Sequence, residues 1–469
     1  MIQRSVTDKT THAADESNRK RVYFVSLGCP KNRVDSEVML GTLLNDGYSV
    51  VSSPQESDVI VVNTCSFVEE AKEESIDTIL EMAEQRSQGG QKLIVSGCLA
   101  QRYHAELAHE MPEVDLFIGT GEYHRIGELL SANVLPRVAV GKPYYVADHL
   151  SPRVLTTPQY SAYLRVAEGC SQRCTFCIIP QLRGKARSRT IGSVVAEAQA
   201  LASQGVREVN LIAQDLTHYG DDLKDQSVTL ANLLRQLVKV DGLSWIRLMY
   251  CYPHNFTDEL VELIATEKNI CKYIDMPLQH VHDDMLARMQ RRTTEKITRD
   301  LLTQLRSIPE LVLRTTFIVG HPGETELHFR AMCDFVQEFE FDRLGVFKYS
   351  QEEGTRSSRQ TDLVPNLVKV DRYHRLMELQ QGISAKRMAN QIGTVMEVLI
   401  EGISDETELL LQGRTYGQAP EIDGVTYINE GCDGVCAGDI RLAEIVDAGS
   451  YDFVARLLTS AETETVEKF

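Results

Sequence analysis

Short apolar runs that lead straight into helical patterns recur along most of this sequence, and no other feature restricts its fold more. Asp58–Asn63 reads DVIVVN, an unbroken apolar run rich in valine and isoleucine, and a long helical pattern covers Glu69 to about Arg86. Val22–Leu27 and Lys92–Ser96 are runs of the same kind, followed by helical patterns from about Asp35 to Asn45 and from about Gln101. Strands that are apolar on both faces and alternate with helices belong in a parallel sheet covered by helices on both sides. Residues 21–140 are therefore expected to form an open parallel α/β sheet.

The rhythm breaks over residues 141–159, where Pro143, Pro152 and Pro158 fall in a stretch with little helical period, as in a linker. It resumes over residues 160–390. Strand candidates there are Ala162–Ala167, Glu208–Ala213, Trp245–Tyr250, Tyr273–Met276, Leu313–Val319 and Leu344–Tyr349. Six such units predict a partial (β/α)6 barrel, since the closed form has eight. A long helix, about Asn366 to Gln391, should leave it. Residues 391–458 change character: short strand candidates alternate with Gly- and Asp-containing turns, as in a small antiparallel barrel of the OB type. The expected class is thus multidomain α/β, with a polar, disordered lead over residues 1–20 and a tail over 459–469.

The chain has eleven cysteines. It shows neither the apolar core of a secretory signal nor a run of about 18 apolar residues, so a cytoplasmic protein without membrane spans is expected. In a reducing compartment, clustered cysteines point to metal binding or catalysis and isolated ones to burial.

Cys170, Cys174 and Cys177 directly follow the first strand candidate of the central region. That is the C-terminal end, where (β/α) barrels build active sites. Three thiolates on one short loop can hold three irons of a [4Fe–4S] cluster and leave the fourth open. Zinc would normally require a fourth protein ligand, which the loop lacks. The spacing, with Phe176 before the third cysteine, resembles the signature of the radical S-adenosylmethionine (SAM) superfamily. The resemblance implies that the open iron chelates SAM and that Cys170, Cys174 and Cys177 are catalytic.

Cys29, Cys65 and Cys98 share no spacing, yet each follows a strand candidate of the first region. Loops after parallel strands gather at one sheet edge, where ligands bind. On the residues alone, three separately buried thiols remain an alternative. The segments SLGCPKNRVDSE (Ser26–Glu37), NTC (Asn63–Cys65) and SGCLAQ (Ser96–Gln101) are similar to the N-terminal domain of the methylthiotransferases. In that family the three cysteines hold a second, auxiliary [4Fe–4S] cluster that takes part in sulfur delivery. The resemblance runs from about Val22 to Leu457 and implies that the last domain is TRAM-like.

Two branches of the family differ in substrate. One modifies an adenosine of transfer RNA; the other modifies the β-carbon of an aspartate in small-subunit ribosomal protein twelve. Pro30-Lys31, IAQDLTHY (Ile212–Tyr219), YSQEEGT (Tyr349–Thr355) and APEIDG (Ala419–Gly424) resemble the second. Charge agrees: net charge is −18 overall, and residues 391–457 hold thirteen Asp and Glu against three Arg and no Lys. Such a module suits a basic ribosomal protein and repels nucleic acid. Three departures from the family pattern stand out, of which only the last bears on the substrate. His321 replaces the usual Phe, Gln181-Leu182 replaces Ser-Met, and Lys185-Ala186-Arg187 makes the segment from Arg183 to Arg189 unusually basic, a feature that favours RNA.

The resemblance further implies that Gln214, Gln279, Arg314, Gly320, Pro322 and Phe347 contact SAM. One SAM would give the methyl group and another the deoxyadenosyl radical, with an electron donor and a sulfur source as further partners. Cys251, Cys271 and Cys333 read as core thiols, and Cys432 and Cys436 as loop thiols unable to hold a cluster by themselves.

Overall fold

The computed structural model describes residues 19–86 and 90–466, with side chains to 464. Most of the expected lead, and the last three residues of the expected tail, lie outside the described residues. The chain divides into two compact units. The first holds the residues up to Thr156 together with Ala167–Gln172 and Cys177–Arg189; the second holds Thr157–Val166, Arg173–Phe176 and everything from Thr190 onward.

The first unit is built on β1 (Arg21–Ser26), α1 (Pro30–Asn45), β2 (Ser49–Val50), β3 (Val59–Thr64), α2 (Glu69–Glu84), β4 (Lys92–Gly97), α3 (Cys98–Glu110), β5 (Leu116–Ile118), α4 (Ile126–Ser131) and β6 (Val138–Ala139). The strands form one sheet in the order β2-β1-β3-β4-β5-β6, and every pair is parallel. Alternate residues of the same strands feed two cores. Val59, Val61 and Ile94 pack with Val38, Met39 and Leu43 of α1 on one face. Ile60, Val62, Leu93 and Val95 pack with Ile79 and Met82 of α2 and Leu99 of α3 on the other. Burial on both faces is what the β-branched runs predicted.

Helix α1 starts at Pro30, five residues before the predicted start, because proline is favoured in the first helical turn. The proline-containing stretch is irregular but not loose. Arg153 donates to the buried Glu37 carboxylate at 2.7 and 2.9 Å, the Thr156 N–H donates to the same carboxylate at 2.8 Å, and the Val154 N–H donates to the Glu37 carbonyl at 3.0 Å. A buried carboxylate needs such partners, and this segment supplies them.

Next come β7 (Ser161–Arg165), β8 (Ala167–Glu168), α5 (Ile179–Arg183), β9 (Arg187–Ser188), α6 (Ile191–Ser203), β10 (Glu208–Ile212), α7 (Leu230–Leu237), β11 (Trp245–Leu248), α8 (Asp258–Thr266), β12 (Ile270–Asp275), α9 (Asp283–Arg288), α10 (Glu295–Arg306), β13 (Val312–Val319), α11 (Glu326–Phe339), β14 (Arg343–Lys348) and α12 (Asn366–Ala389). In the second unit β7, β10, β11, β12, β13 and β14 lie side by side in chain order, all parallel, as an open six-stranded sheet. This is the partial (β/α) barrel.

Strands β15 (Val395–Ile403), β16 (Leu411–Thr415), β17 (Thr426–Glu430), β18 (Ile440–Ala448) and β19 (Phe453–Leu457) close a small barrel in the order β15-β16-β17-β19-β18. Helix α13 (Ser460–Val466) occupies most of the expected tail. The APEIDG segment docks against the larger barrel. Tyr273 donates to Asp423 at 2.7 Å, Tyr163 donates to Glu421 at 3.3 Å, and buried Glu208 at the start of β10 accepts from Arg414 at 2.7 Å and Arg247 at 2.9 Å.

Candidate functional site

Register brings the dispersed cysteines together. Ser26 of β1 is level with Asn63 of β3, which is level with Ser96 of β4. Cys29 and Cys65 follow just past the strand ends, and Cys98 opens α3, so all three lie just beyond one line across three adjacent strands, about 4.8 Å apart. Gly28 and Gly97 turn the chain there with φ of +86° and +99°. A Cβ on Gly28 would sit 2.8 Å from Cys65 Cβ and 3.2 Å from its sulfur, so only glycine leaves room for the sulfur.

Buried asparagines lash the three loops to one another. Asn32 donates to the carbonyls of Leu27 at 3.1 Å and Thr64 at 2.8 Å. Asn63 donates to the Asn32 carbonyl and to Ser36 Oγ, both at 2.8 Å, and Thr64 Oγ1 donates to the Ser96 carbonyl at 2.6 Å. Burial pushes the Cys65 thiol up to about 12, and the charges of Cys98 and Cys29 add to the rise. The hydroxyls of Ser66 and Ser96 are buried without a hydrogen-bond partner among the described residues. Two buried thiols that resist ionising, beside a third cysteine and hydroxyls with unused donors, fit a cationic, sulfide-bearing cluster. The cations stabilise the thiolates and the sulfides accept the donors.

One cation is already present. Arg183, at the end of α5, is buried; it bonds Asp35 Oδ2 at 2.5 Å, donates to Asn32 Oδ1, and donates to Cys98 Sγ at 3.4 Å. Glu168 lies 3.7 Å from the same guanidinium. Burial raises the Cys98 thiol, and Arg183 opposes that rise. The basic segment is therefore not an exposed basic face: Arg183 and Arg189 are buried, and Arg187 donates to the carbonyls of Lys185 at 2.6 Å and Arg183 at 3.1 Å. The hint of RNA binding read from its charge does not survive.

The unit boundary runs through the Cys170–Cys177 loop, with Cys170 and Cys177 in the first unit and Cys174 in the second. β8 and β9 pair antiparallel behind it. The Cys170 N–H donates to the Gly184 carbonyl at 3.0 Å, and the Gln172 N–H donates to Cys170 Sγ at 3.4 Å. Cys174 Sγ accepts from Arg291 at 3.6 Å, whose guanidinium also stacks 3.9 Å from the Tyr252 ring centroid. Sulfurs that accept from a backbone N–H at Cys170 and a guanidinium at Cys174 suit thiolate ligands of a cluster. Arg291 was not singled out by the sequence, because 117 residues separate it from its cysteine.

Most of the predicted SAM contacts lie at one end of the barrel. Gln214, Gln279, Gly320, Pro322 and Phe347 stand at or past the C-terminal ends of β10, β12, β13 and β14. Gln279 has φ of +72° and Tyr250, past β11, has +63°. Such backbone is costly for non-glycine residues and clusters at functional rims. Phe347 is 49% exposed, an apolar ring open to a ligand. Arg314 departs from the prediction. It lies near the start of β13, bonded to Asp275 at 2.8 Å and 3.5 Å from Asp423, so its charge is already spent at the other end of the strand.

His321 is fully buried and bonds Ser357 Oγ at 2.9 Å; Ser357 bonds Thr175 Oγ1 at 2.8 Å, beside Cys174. Burial holds its pKa down to about 4, so the ring is neutral. His282, Asp284 and His328 come within 4.8 Å of one another. However, Nδ1 of His282 and of His328 each accept a backbone N–H at 3.2 Å, which leaves a neutral ring with N–H at Nε2 rather than a metal ligand. These rings cap helices. Burial pushes Cys271 up to about 12 and Cys333 up to about 11, and Cys251 is likewise raised by burial, as befits inert core thiols.

Family models match the chain in succession: an uncharacterized protein family, UPF0004, over residues 21–119, the radical SAM superfamily over 164–336, and the TRAM domain over 392–458. A curated "Ribosomal protein uS12 methylthiotransferase RimO" of Geobacter sulfurreducens is 50% identical over 446 residues, covering 94% of this chain and 99% of its own. A protein of the same name from Anaeromyxobacter sp. (strain K) is 53% identical over 440 residues, covering 93% of each. Among solved structures, the radical SAM methyltransferase TsrM of Kitasatospora setae aligns at 17% identity with a TM-score of 0.52, over 70% of this chain and 75% of that one. That likeness concerns fold alone.

Proposed function

Because this chain belongs to the ribosomal protein uS12 methylthiotransferase family, we propose that it adds a methylthio group to the β-carbon of an aspartate in that ribosomal protein. The observation that carries the proposal is the pairing of two three-cysteine sets in one chain: one on a loop beyond a (β/α) strand, and one just past the ends of three adjacent parallel strands. Cys170, Cys174 and Cys177 would hold the SAM-binding [4Fe–4S] cluster; Cys29, Cys65 and Cys98 would hold the auxiliary one. When bound, the first cluster and SAM supply a 5′-deoxyadenosyl radical, the hydrogen acceptor that an unactivated C–H bond requires.

The protein's own residues position and shield. Arg291 fixes the Cys174 sulfur, and the chain from His321 through Ser357 to Thr175 braces the loop beside it. Gln214, Gln279, Gly320, Pro322 and Phe347 would hold SAM at the rim; Arg314 is left out, since two carboxylates already occupy it. The acidic last barrel would meet a basic partner. Glu421 and Asp423 do not take part, because both are turned onto tyrosines of the larger barrel. No helix among the described residues is long and apolar enough to cross a membrane, and a ribosomal protein as substrate supports the reading that the enzyme works in the cytoplasm. A reductant and a sulfur source complete the set of partners.

An anaerobic competition tests the substrate. Enzyme loaded with iron and sulfide receives reductant, SAM, small-subunit proteins and unmodified transfer RNA together, and mass spectrometry finds the methylthio group. The expected gain is on an aspartate of uS12. A gain on adenosine instead would contradict the proposal.

A further inference from the structure

Resting on the reading that Cys29, Cys65 and Cys98 hold a cluster, we propose that Arg183 is the fixed counter-charge of that site, raising its reduction potential and tying it to the segment that follows Cys177. Arg183 ends α5, six residues after Cys177 in sequence. Its guanidinium donates to Cys98 Sγ at 3.4 Å, and Ile178 and Leu182 of the same segment pack on Cys98.

The fork is anchored at both terminal nitrogens. Asp35 takes Nη1 at 2.5 Å with both side chains about 3% exposed or less, Asn32 Oδ1 accepts from Nη2, the nitrogen that also donates to Cys98, and Glu168 stands 3.7 Å from Nη1. Asn32 is also the residue that bonds the Leu27 and Thr64 carbonyls next to the other two cysteines. The guanidinium is therefore held by the same network that shapes the site. From the other side, Thr120 Oγ1 donates to the Leu182 carbonyl at 2.5 Å and keeps the end of α5 in place.

A positive charge hydrogen-bonded to a ligand sulfur stabilises the more negative, reduced state of a cluster and so raises its potential. Removing that charge has a second consequence. Asp35 and Glu168 would remain as buried anions near the site without that cation between them and the sulfur, driving the potential further down. Lysine would keep the charge but could not fork among Cys98, Asn32 and Asp35. Asp35→Asn should act in the opposite sense, because it removes an anion and leaves the guanidinium in place.

The test isolates the auxiliary site in the full-length chain by changing Cys170, Cys174 and Cys177 to alanine. The protein is loaded anaerobically with iron and sulfide, its iron counted, and the reduced fraction followed by electron paramagnetic resonance against applied potential. Arg183→Gln should lower the ratio of reduced to oxidised cluster at fixed potential at least tenfold, about 59 mV for one electron. Arg183→Lys should fall between, and Asp35→Asn should move the ratio upward. A purely structural arginine would not produce opposite signs at positions 183 and 35. If Arg183→Gln fails to fold or to retain iron, Arg183→Lys and Asp35→Asn decide by the same signs. Unchanged potentials in cluster-bearing variants would overturn the role of Arg183. Absence of iron in the parent with Arg183 intact would instead overturn the auxiliary-cluster reading, and this proposal with it.

Discussion

Cys170, Cys174 and Cys177 fall within eight residues of sequence, whereas Cys29, Cys65 and Cys98 span seventy. The first set owes its proximity to chain connectivity: one loop, one backbone donor to a sulfur and one long-range guanidinium. The second owes it to a sheet, in which Ser26, Asn63 and Ser96 are held level by parallel pairing and every loop beyond that line is pinned by Asn32 or Asn63. A local site can be built by a short motif on many scaffolds. A dispersed site exists only while the whole sheet keeps its register. The same ligand chemistry therefore carries different vulnerabilities, and both sites add an arginine on one sulfur, Arg183 at Cys98 and Arg291 at Cys174.

The sharpest break in this comparison comes from single cysteines. Cys174→Ala should lower deoxyadenosine formation by more than 100-fold. Cys65→Ala should abolish methylthio transfer yet leave deoxyadenosine formation within about twofold, as chromatography of the two products would show; these magnitudes follow from removing one cluster and sparing the other. Next in size is Asn32→Ala. It strips two donors from buried carbonyls and an acceptor from Arg183, each worth about 1–3 kcal/mol when left unmade. Denaturant titration should show a loss of roughly 3–5 kcal/mol, on the same scale. Iron should disappear from the dispersed site before the local one.

His321→Phe probes the local site through pH. Folding holds this imidazole near 4, below its ordinary value, so the unfolded chain takes up a proton that the folded chain refuses. Stability should fall as pH drops from about 6.5 to about 4, by at most about 3 kcal/mol, and level off below. The phenylalanine variant should lack that part of the slope in thermal scans across this range. The smallest effect belongs to Cys436→Ser. This thiol is exposed on the last barrel, so iron content and melting temperature should both stay unchanged.

Much of this was legible beforehand, for identifiable reasons. The apolar runs announced buried parallel strands, and a cysteine after each of three strands announced convergence at an edge. What the sequence concealed was side-chain direction. Arg183 looked like part of a basic surface because charge carries no mark of burial, yet it faces Asp35 across 148 residues. Arg314 was counted among the SAM contacts on resemblance although the strand candidate Leu313–Val319 already put it near the strand's start; its bonds to Asp275 and Asp423 show what it does there instead. The irregular segment after β6 was taken for a linker because prolines lower helical period, while Glu37, which holds it down, lies in a distant helix.

The most direct test of the central claim, that the chain holds two independent cluster sites of unlike construction, is an iron count paired with Mössbauer spectroscopy on two full-length variants. One lacks Cys170, Cys174 and Cys177; the other lacks Cys29, Cys65 and Cys98. Each should retain about half the iron of the intact protein, as one [4Fe–4S] cluster with three thiolate ligands. If either triple variant loses all its iron, or keeps all of it, the six cysteines do not form two separate sites and the account is wrong.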